Sequence, residues 1–191
     1  VCTITLTPAA IAWSSRISRS IERLPLPRRL VQGRFHEVPE RGGEQPLSNH
    51  LIVVGYGIAG KLAANAAEKA GISHLVLELN PDTVRLQRAA GHPLRFGDAT
   101  QEEVLEAAGV RDALAVVLAV PDPVSTQRVV SLVRALNPRA RIIARTKFHA
   151  DISLLTELGA SRVVADEYQA ALELAREVLE SFSVPEEQSD A

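Results

Sequence analysis

From His50 onward, short apolar runs alternate with longer segments in which apolar residues recur every three or four positions. The short runs predict buried β-strands, and the longer periodicity predicts amphipathic α-helices. The predicted strands are 50–55, 74–79, 93–96, 113–119, 140–145 and 162–165. The predicted helices are 58–70, 81–90, 101–108, 122–136, 149–158 and 167–182. Six β-α units with apolar strands predict an α/β fold, a Rossmann-like doubly wound parallel six-stranded sheet.

Residues that begin and end helices lie at the boundaries of these segments. Two helix starts combine a polar capping residue with proline at the first helical position, namely Asn80-Pro81 and Asp122-Pro123. The sequence Thr100-x-x-Glu103 fits a capping box. Glycines predicted to end helices are Gly71, Gly91, Gly109 and Gly159.

The N-terminal 48 residues follow a different pattern. Residues 1–13 carry no charged side chain, so we expect residues 1–15 to be the end of a transmembrane helix, with Trp13 at the membrane interface. Residues 16–48 begin as a basic amphipathic segment suited to a membrane surface and continue as a proline- and glycine-containing linker. The alternative is a soluble helix packed on the domain or on a partner. The α/β domain then spans 49–183, and 184–191 form a polar tail.

Charge and composition narrow the function further. The net charge is −2, so nothing global indicates nucleic acid, although the first 48 residues hold seven arginines against four glutamates. Cys2 is the only cysteine and the five histidines are scattered, so we expect no disulfide and no metal site. The chain has no methionine and begins at Val1, from which we expect a fragment of a longer protein.

The most informative motif follows the first predicted strand. Residues 51–60 read LIVVGYGIAG, a G-x-G-x-x-G pattern between a strand and a helix, and Glu78 lies near the end of the second strand. This is the dinucleotide-binding fingerprint, in which backbone N–H groups of the helix N-terminus face the phosphates. Glu78 can accept hydrogen bonds from an adenosine ribose and repel a 2′-phosphate, which favours NAD over NADP. With the fingerprint on strand one, we expect strand order 3-2-1-4-5-6.

Other candidate contacts lie after the remaining strands, where ligands of such sheets bind. Asp98 follows strand three and can accept from an adenine amino group, and 119–122 follow strand four. Arg145 ends strand five, where it can neutralise phosphate, and Lys61 directly follows the fingerprint. We find no nucleophile-base set, no paired acids in a plausible cleft, and no Gly-Lys-Ser/Thr phosphate loop. A cofactor domain without catalytic residues indicates a sensor and not an enzyme.

Seven stretches together resemble the TrkA-N family, also called the RCK N-terminal domain, a regulatory domain that controls potassium conductance. They are VVGYGIAG (53–60), LVLELNP (75–81), FGDAT (96–100), LEAAGV (105–110), AVPDP (119–123), IIARTKF (142–148) and LGASRVVADEY (158–168). The resemblance covers about residues 50–182 and looks most like the cytosolic domain of Kef-type bacterial cation:proton antiporters. Many glutathione-gated members carry arginine after the second glycine, where this chain has Ile58.

The resemblance implies a domain that binds NAD(H), or AMP or another adenine nucleotide, and whose ligand state gates an attached transporter. It further implies a homodimer through helix 167–182, a transmembrane transporter domain upstream in the same chain, and a place at the cytoplasmic face of the bacterial inner membrane. The expected cofactor contacts are Gly55, Tyr56, Gly57, Ile58, Ala59, Gly60, Glu78, Leu79, Asn80, Asp98, Ala99, Ala119, Asp122 and Arg145. Two alternatives stay open, a gating subunit of a potassium channel or uptake system and a truncated NAD-dependent oxidoreductase.

Overall fold

The computed structural model describes residues 47–182, which contain six strands, six α-helices and one 3-10 helix. The strands are β1 (Leu51–Val54), β2 (His74–Glu78), β3 (Leu94–Phe96), β4 (Ala115–Leu118), β5 (Arg141–Thr146) and β6 (Arg162–Ala165). The helices are α1 (Ile58–Lys69), α2 (Pro81–Ala89), α3 (Glu102–Ala107), α4 (Pro123–Leu136), α5 (Asp151–Glu157) and α6 (Asp166–Ser181). The 3-10 helix is Val110–Asp112.

Three sequence predictions fall outside this part of the chain. They are the predicted end of a transmembrane helix at 1–15, the polar tail at 184–191, and all but the last two residues of the basic segment and linker at 16–48. Between residues 47 and 182, no helix has the length and apolar character needed to cross a membrane.

The strands form one parallel sheet in the order β3-β2-β1-β4-β5-β6. The predicted Rossmann-like topology is therefore confirmed. β1 lies centrally, with Val53 opposite Val76 of β2 on one side and Val117 of β4 on the other. From β1 the chain adds β2 and β3 on one side of the sheet and then β4, β5 and β6 on the other. In folds of this kind a crevice lies at the carboxyl ends of the two strands where the order switches, here β1 and β4.

Alternate residues of the central strand pack against different layers of helices. Ile52 and Val54 face the layer that contains α4, and Val53 faces the layer that contains α1 and α2. All three are buried. Full burial of one such aliphatic side chain stabilises a fold by about 1.5–3 kcal/mol, so both layers hold β1 firmly in place. The glycine turn that follows β1 is thus attached to a buried strand at the centre of the sheet.

The predicted helix boundaries at proline and glycine are confirmed. Asn80 and Asp122 cap α2 and α4 with their side chains, each ahead of a proline. The four helix-ending glycines all have positive φ, a conformation that suits glycine because it has no Cβ.

The predicted capping box at Thr100 is wrong. The residue that precedes α3 is Gln101, which makes no side-chain cap. The Thr100 hydroxyl donates to Asp98 Oδ1 at 2.8 Å, and the Thr100 N–H donates to the same oxygen at 2.9 Å. Thr100 therefore belongs to a turn with Asp98, and Gln101 takes the position that precedes the helix.

β4 begins two residues later than the sequence predicts. Residues 110–112 form the 3-10 helix, and the buried Asn137 side chain holds the following turn. Its amide nitrogen donates to the carbonyl oxygens of Val110 and Ala113, each at 2.9 Å. A side chain from another element thus satisfies backbone groups that a longer strand would have paired in the sheet.

Candidate functional site

The glycine turn between β1 and α1 is shaped by close backbone packing. Gly55 has φ +91°, and a Cβ there would lie 2.9 Å from Val120 Cγ1. A Cβ on Gly60 would lie 1.9 Å from the carbonyl oxygen of Gly55. Gly55 is favoured by its positive φ and by the Val120 side chain, whereas a Cβ on Gly60 would displace backbone. Val120, which the sequence reading did not single out, forms the opposite wall of the turn.

Gly57 differs from its two neighbours in the motif. It has ordinary φ of −69°, and a Cβ on it would meet no protein atom within 4 Å. It directly precedes α1, whose first residues Ile58, Ala59 and Gly60 carry N–H groups that the helix itself cannot pair. Ile58 is 84% exposed. Open space above unpaired amides at a helix N-terminus is what an anionic group such as phosphate requires, so this turn fits a nucleotide.

Glu78 joins the glycine turn to the start of α2. Its Oε2 accepts from the backbone N–H of Tyr56 at 2.7 Å, and its Oε1 accepts from the N–H of Asn80 at 2.8 Å. The sequence reading predicted a ribose contact here and missed this positioning role. A carboxylate has about four acceptor sites, so two bonds leave capacity for ribose hydroxyls.

Tyr56 contributes backbone to the site but not its ring. The ring is buried with Val53 and Val84 on the α1–α2 side of the sheet, and the hydroxyl donates to Gln87 Oε1 at 3.3 Å. Burial, followed by the charge of Glu68, raises the pKa of the Tyr56 hydroxyl. The Lys61 ammonium lies 5.5 Å from the centre of this ring, which gives it a cation–π partner away from the unpaired amides of α1.

Leu79 and Asn80 complete the β2 end of the site. Leu79 is largely exposed, and Asn80 Oδ1 accepts from the N–H groups of Asp82 at 3.0 Å and Thr83 at 3.1 Å. The Asn80 side chain is therefore occupied as a helix cap. This arrangement keeps the Asn80 N–H pointing at Glu78, so the cap helps to orient the carboxylate.

Asp98 and Ala99 follow β3 beside Glu78. The N–H of Gly97 donates to the carbonyl oxygen of Glu78 at 3.1 Å, which links the ends of β2 and β3. Asp98 Oδ1 accepts from the Thr100 N–H at 2.9 Å, and Ala99 is buried. Burial alone opposes the charged form of Asp98, but its hydrogen bonds and the charge of Arg128 together lower its pKa. Asp98 is therefore an anionic acceptor, as recognition of an amino group requires.

The β4 end combines a buried and an exposed residue. Ala119 is buried, and its Cβ would lie 3.5 Å from a Cβ on Gly60, so it packs against the glycine turn. Asp122 Oδ2 accepts from the Ser125 N–H at 2.7 Å. Hydrogen bonds from the Ser125 hydroxyl and N–H lower the pKa of Asp122. Its carboxylate is thus occupied as a cap of α4.

Arg145 is engaged by a residue that the sequence reading missed. Its Nε donates to Asp166 Oδ1 at 2.9 Å, and its Nη2 donates to Asp166 Oδ2 at 2.5 Å. This bidentate pair raises the pKa of Arg145. Arg145 also lines a shallow depression of about 200 Å³ at the ends of β4 and β5, which includes open solvent. The other lining residues are Pro121, Pro123, Thr126, Gln127, Thr146, Asp151 and Leu155.

The predicted contacts thus form two groups along the carboxyl edge of the sheet. The glycine turn, Glu78, Asn80 and Asp98 are connected by hydrogen bonds around β1, β2 and β3. Arg145 lies on the other side of β4 and points to Asp166 of α6. No cluster of three or more His, Cys, Asp or Glu side chains suited to a metal occurs in the described part of the chain.

Known proteins resemble this chain in both sequence and structure. The glutathione-regulated potassium-efflux system protein KefC of Cronobacter sakazakii is 30% identical over 153 residues, which cover 80% of this chain. The match covers 24% of KefC, so the chain spans about a quarter of the length of this relative.

Two solved structures share the fold. The TrkA-N domain of the inner membrane protein YbaL of Escherichia coli has a TM-score of 0.64 and 32% identity, covering 71% of this chain and 98% of that chain. The AMP-bound Kef C-terminal domain of Shewanella denitrificans has a TM-score of 0.64 and 24% identity, covering 74% and 86%. The family model of the TrkA-N domain matches residues 51–166. This chain therefore belongs to the TrkA-N domain family.

Proposed function

We propose that residues 49–183 form a cytosolic regulatory domain that binds NAD(H) or an AMP-type adenine nucleotide and gates a potassium or sodium cation:proton antiporter. The observation that carries the proposal is the glycine turn. Gly57 opens onto free space at the N-terminus of α1, while Gly55 and Gly60 are closed by packing. An open glycine directly before the helix lets an anionic group approach the N–H groups of Ile58, Ala59 and Gly60.

The proposed ligand is an adenine nucleotide without a 2′-phosphate. Glu78 lies beside the turn and accepts two backbone N–H bonds, which hold its carboxylate at the place where a ribose would lie. At about 4 Å and an effective dielectric near 20, a phosphate charge would be repelled by about 4 kcal/mol before screening by salt. The AMP bound by the Shewanella Kef domain, which has the same fold, supports this ligand class.

The proposed partners are a membrane transporter domain upstream in the same chain, a membrane surface, and a second copy of this domain. KefC is a potassium-efflux protein about four times as long as the matched region, which supports the transporter domain. We place the domain at the cytoplasmic face of a bacterial inner membrane. The supporting sequence features are the uncharged segment 1–13 and the arginines that follow it.

The proposed homodimer forms through α6. This helix has no buried residue although it is strongly amphipathic. Its exposed apolar side chains are Tyr168, Leu172, Leu174, Val178 and, just after the helix, Phe182. A large exposed apolar surface on one helix is typical of an interface, because water contact with it is unfavourable. In such a dimer, ligand binding could change the relative orientation of the two copies by favouring one of two arrangements of the paired α6 helices.

A regulatory role also accounts for the chemistry of the edge. The carboxylates of Asp98 and Asp122 are held by local N–H groups, and Arg145 is paired with Asp166. Such groups bind and orient a ligand but offer no nucleophile with an adjacent general base. We therefore propose that the domain is not an enzyme.

The test is a calorimetric titration of the 191-residue chain with NADH, NAD, NADPH, AMP and ATP. We expect binding of ligands without a 2′-phosphate, and NADH binding at least about tenfold tighter than NADPH binding. Glu78→Gln keeps the side-chain shape but removes its charge, so it should weaken NADH binding by about tenfold. It should also reduce the difference in affinity between NADH and NADPH.

The matched control is Glu106→Gln on α3, which removes a glutamate charge from an ion pair with Arg111 of the 3-10 helix. It should leave every titration unchanged. A folded wild-type chain that binds none of the five nucleotides would contradict the proposed function. Equal affinity for NADH and NADPH would contradict the role of Glu78 alone.

A further inference from the structure

Within residues 47–182, the hydrogen bonds, ion pair and ring contact that join α6 to other elements all involve its first three residues. Asp166 pairs with Arg145, the N–H of Glu167 donates to the Lys147 carbonyl oxygen at 3.3 Å, and the Tyr168 ring centre lies 5.3 Å from that of His149. Within the described residues, no α6 side chain beyond Tyr168 hydrogen-bonds or forms an ion pair with another element. The orientation of this helix therefore depends on residues 145–149.

The strongest of these contacts uses a residue of the ligand edge. Asp166 occupies the Nε and Nη2 side of the Arg145 guanidinium, a planar fork that binds carboxylate and phosphate in the same bidentate way. The two side chains are 35% and 41% exposed, so solvent and solutes can reach the pair. Pairing with Asp166 raises the pKa of Arg145, which keeps the guanidinium charged.

Arg145 also lies within reach of a ligand held by the glycine turn. β4 separates β1 from β5, and the end of β4 packs directly on the turn through Ala119 and Val120. The turn and Arg145 are thus two strand spacings apart, roughly 9.5 Å. The extended Arg145 side chain and the phosphate groups of a nucleotide bound at the turn are together long enough to span this distance.

We propose that Arg145 is shared between the nucleotide and α6, so that ligand binding weakens the attachment of α6. This inference rests on the proposed function and specifies its regulation. An anionic group of the bound nucleotide takes the Nε and Nη2 side of the guanidinium and displaces Asp166. The start of α6 then keeps only the Glu167 and Tyr168 contacts, and the helix is free to change its angle to the sheet.

Thermodynamic linkage gives the proposal a distinctive sign. If the nucleotide and Asp166 compete for Arg145, removing Asp166 must tighten nucleotide binding, and removing Arg145 must weaken it. Both substitutions must loosen α6 when no ligand is present. A purely structural ion pair would give the two variants the same effect on affinity, because both would only disturb the fold.

The experiment is amide hydrogen exchange, read by mass spectrometry on the whole 191-residue chain, with AMP and NADH as separate probes. We expect faster exchange of amides in residues 167–174 when either probe is bound. Asp166→Asn and Arg145→Gln should both show this faster exchange without a probe. Calorimetry on the same samples should give binding about fivefold tighter or more for Asp166→Asn, and weaker by a similar factor for Arg145→Gln.

Glu106→Gln is again the control, because it breaks an ion pair of the same kind outside the site. It should change neither affinity nor exchange in α6. Binding of AMP or NADH without faster exchange in 167–174 would overturn this inference and leave the proposed function intact. Weaker binding by Asp166→Asn would also overturn it. Binding of neither probe to the folded wild-type chain would reject both proposals together.

Discussion

The two edges of the same sheet are built in opposite ways. At the amino edge, polar side chains are buried and hold neighbouring backbone. Asn137 makes four hydrogen bonds to the turns at 110–113 and 139–140, and His50 Nε2 lies 3.0 Å from the carbonyl oxygen of Ala108. At the carboxyl edge, Glu78, Asp98, Asp122 and Arg145 are part-exposed or exposed.

This difference separates stability from binding. A buried polar group whose hydrogen bonds all go to neighbouring backbone, as those of Asn137 do, has little left to offer a ligand. His50 is satisfied only in part, because its Nδ1 has no hydrogen-bond partner among the described residues. Part-exposed charges that bond only local N–H groups keep acceptor capacity on their solvent side. The comparison predicts that substitutions at the amino edge lower the free energy of unfolding, whereas substitutions at the carboxyl edge lower nucleotide affinity.

The largest effect is expected from the glycine turn, where one glycine is required for stability and another is open to a ligand. Gly60→Ala places a Cβ 1.9 Å from the Gly55 carbonyl oxygen, so it should lower the free energy of unfolding by about 3 kcal/mol or more. Gly57→Ala meets no protein atom, so it should cost less than about 1 kcal/mol and yet weaken AMP and NADH binding. Urea denaturation and calorimetry on both variants measure these effects. Equal losses of stability would contradict the comparison.

The second effect is expected at the amino edge. Asn137→Ala removes four side-chain hydrogen bonds to the backbone of two turns, so it should lower the free energy of unfolding by about 3 kcal/mol. Nucleotide affinity of the folded fraction should stay the same. Asn80→Ala is the matched substitution at the carboxyl edge, and the loss of a helix cap should cost about 1 kcal/mol. Urea denaturation measures the free energy of unfolding of both variants. A larger loss of stability in Asn80→Ala than in Asn137→Ala would contradict the proposed contrast between the edges.

The smallest effect concerns the pH dependence of Asp98. Its pKa is lowered in the folded chain, so the stability that it contributes is present above its ordinary pKa of about 4 and is lost as the pH falls below it. The difference in unfolding free energy between wild type and Asp98→Asn should therefore shrink from about pH 5 to pH 3, by less than about 1 kcal/mol. Thr100→Val removes one donor to Asp98 and should reduce this pH dependence. A difference that grows on acidification would contradict the assignment.

Several features followed from local sequence. The order of the strands could be predicted because a glycine fingerprint, short apolar strands and right-handed crossovers leave few topologies open. The ends of α2 and α4 could be predicted from Asn80-Pro81 and Asp122-Pro123, because capping involves only residues three apart. The capping box at Thr100 failed because Thr100 forms a turn with Asp98, two residues earlier, and the helix begins one residue later than the box requires.

Periodicity and residue type were enough to predict the fold class, the glycine turn and the set of polar residues at the carboxyl edge. The partner of each polar group depends on the three-dimensional arrangement of the strands. Arg145 and Asp166 are 21 residues apart, and Glu78 and the Tyr56 N–H are 22 apart. Such pairs form because parallel strands bring their carboxyl ends to one edge, and spacing along the chain does not specify which partner a charged group meets there.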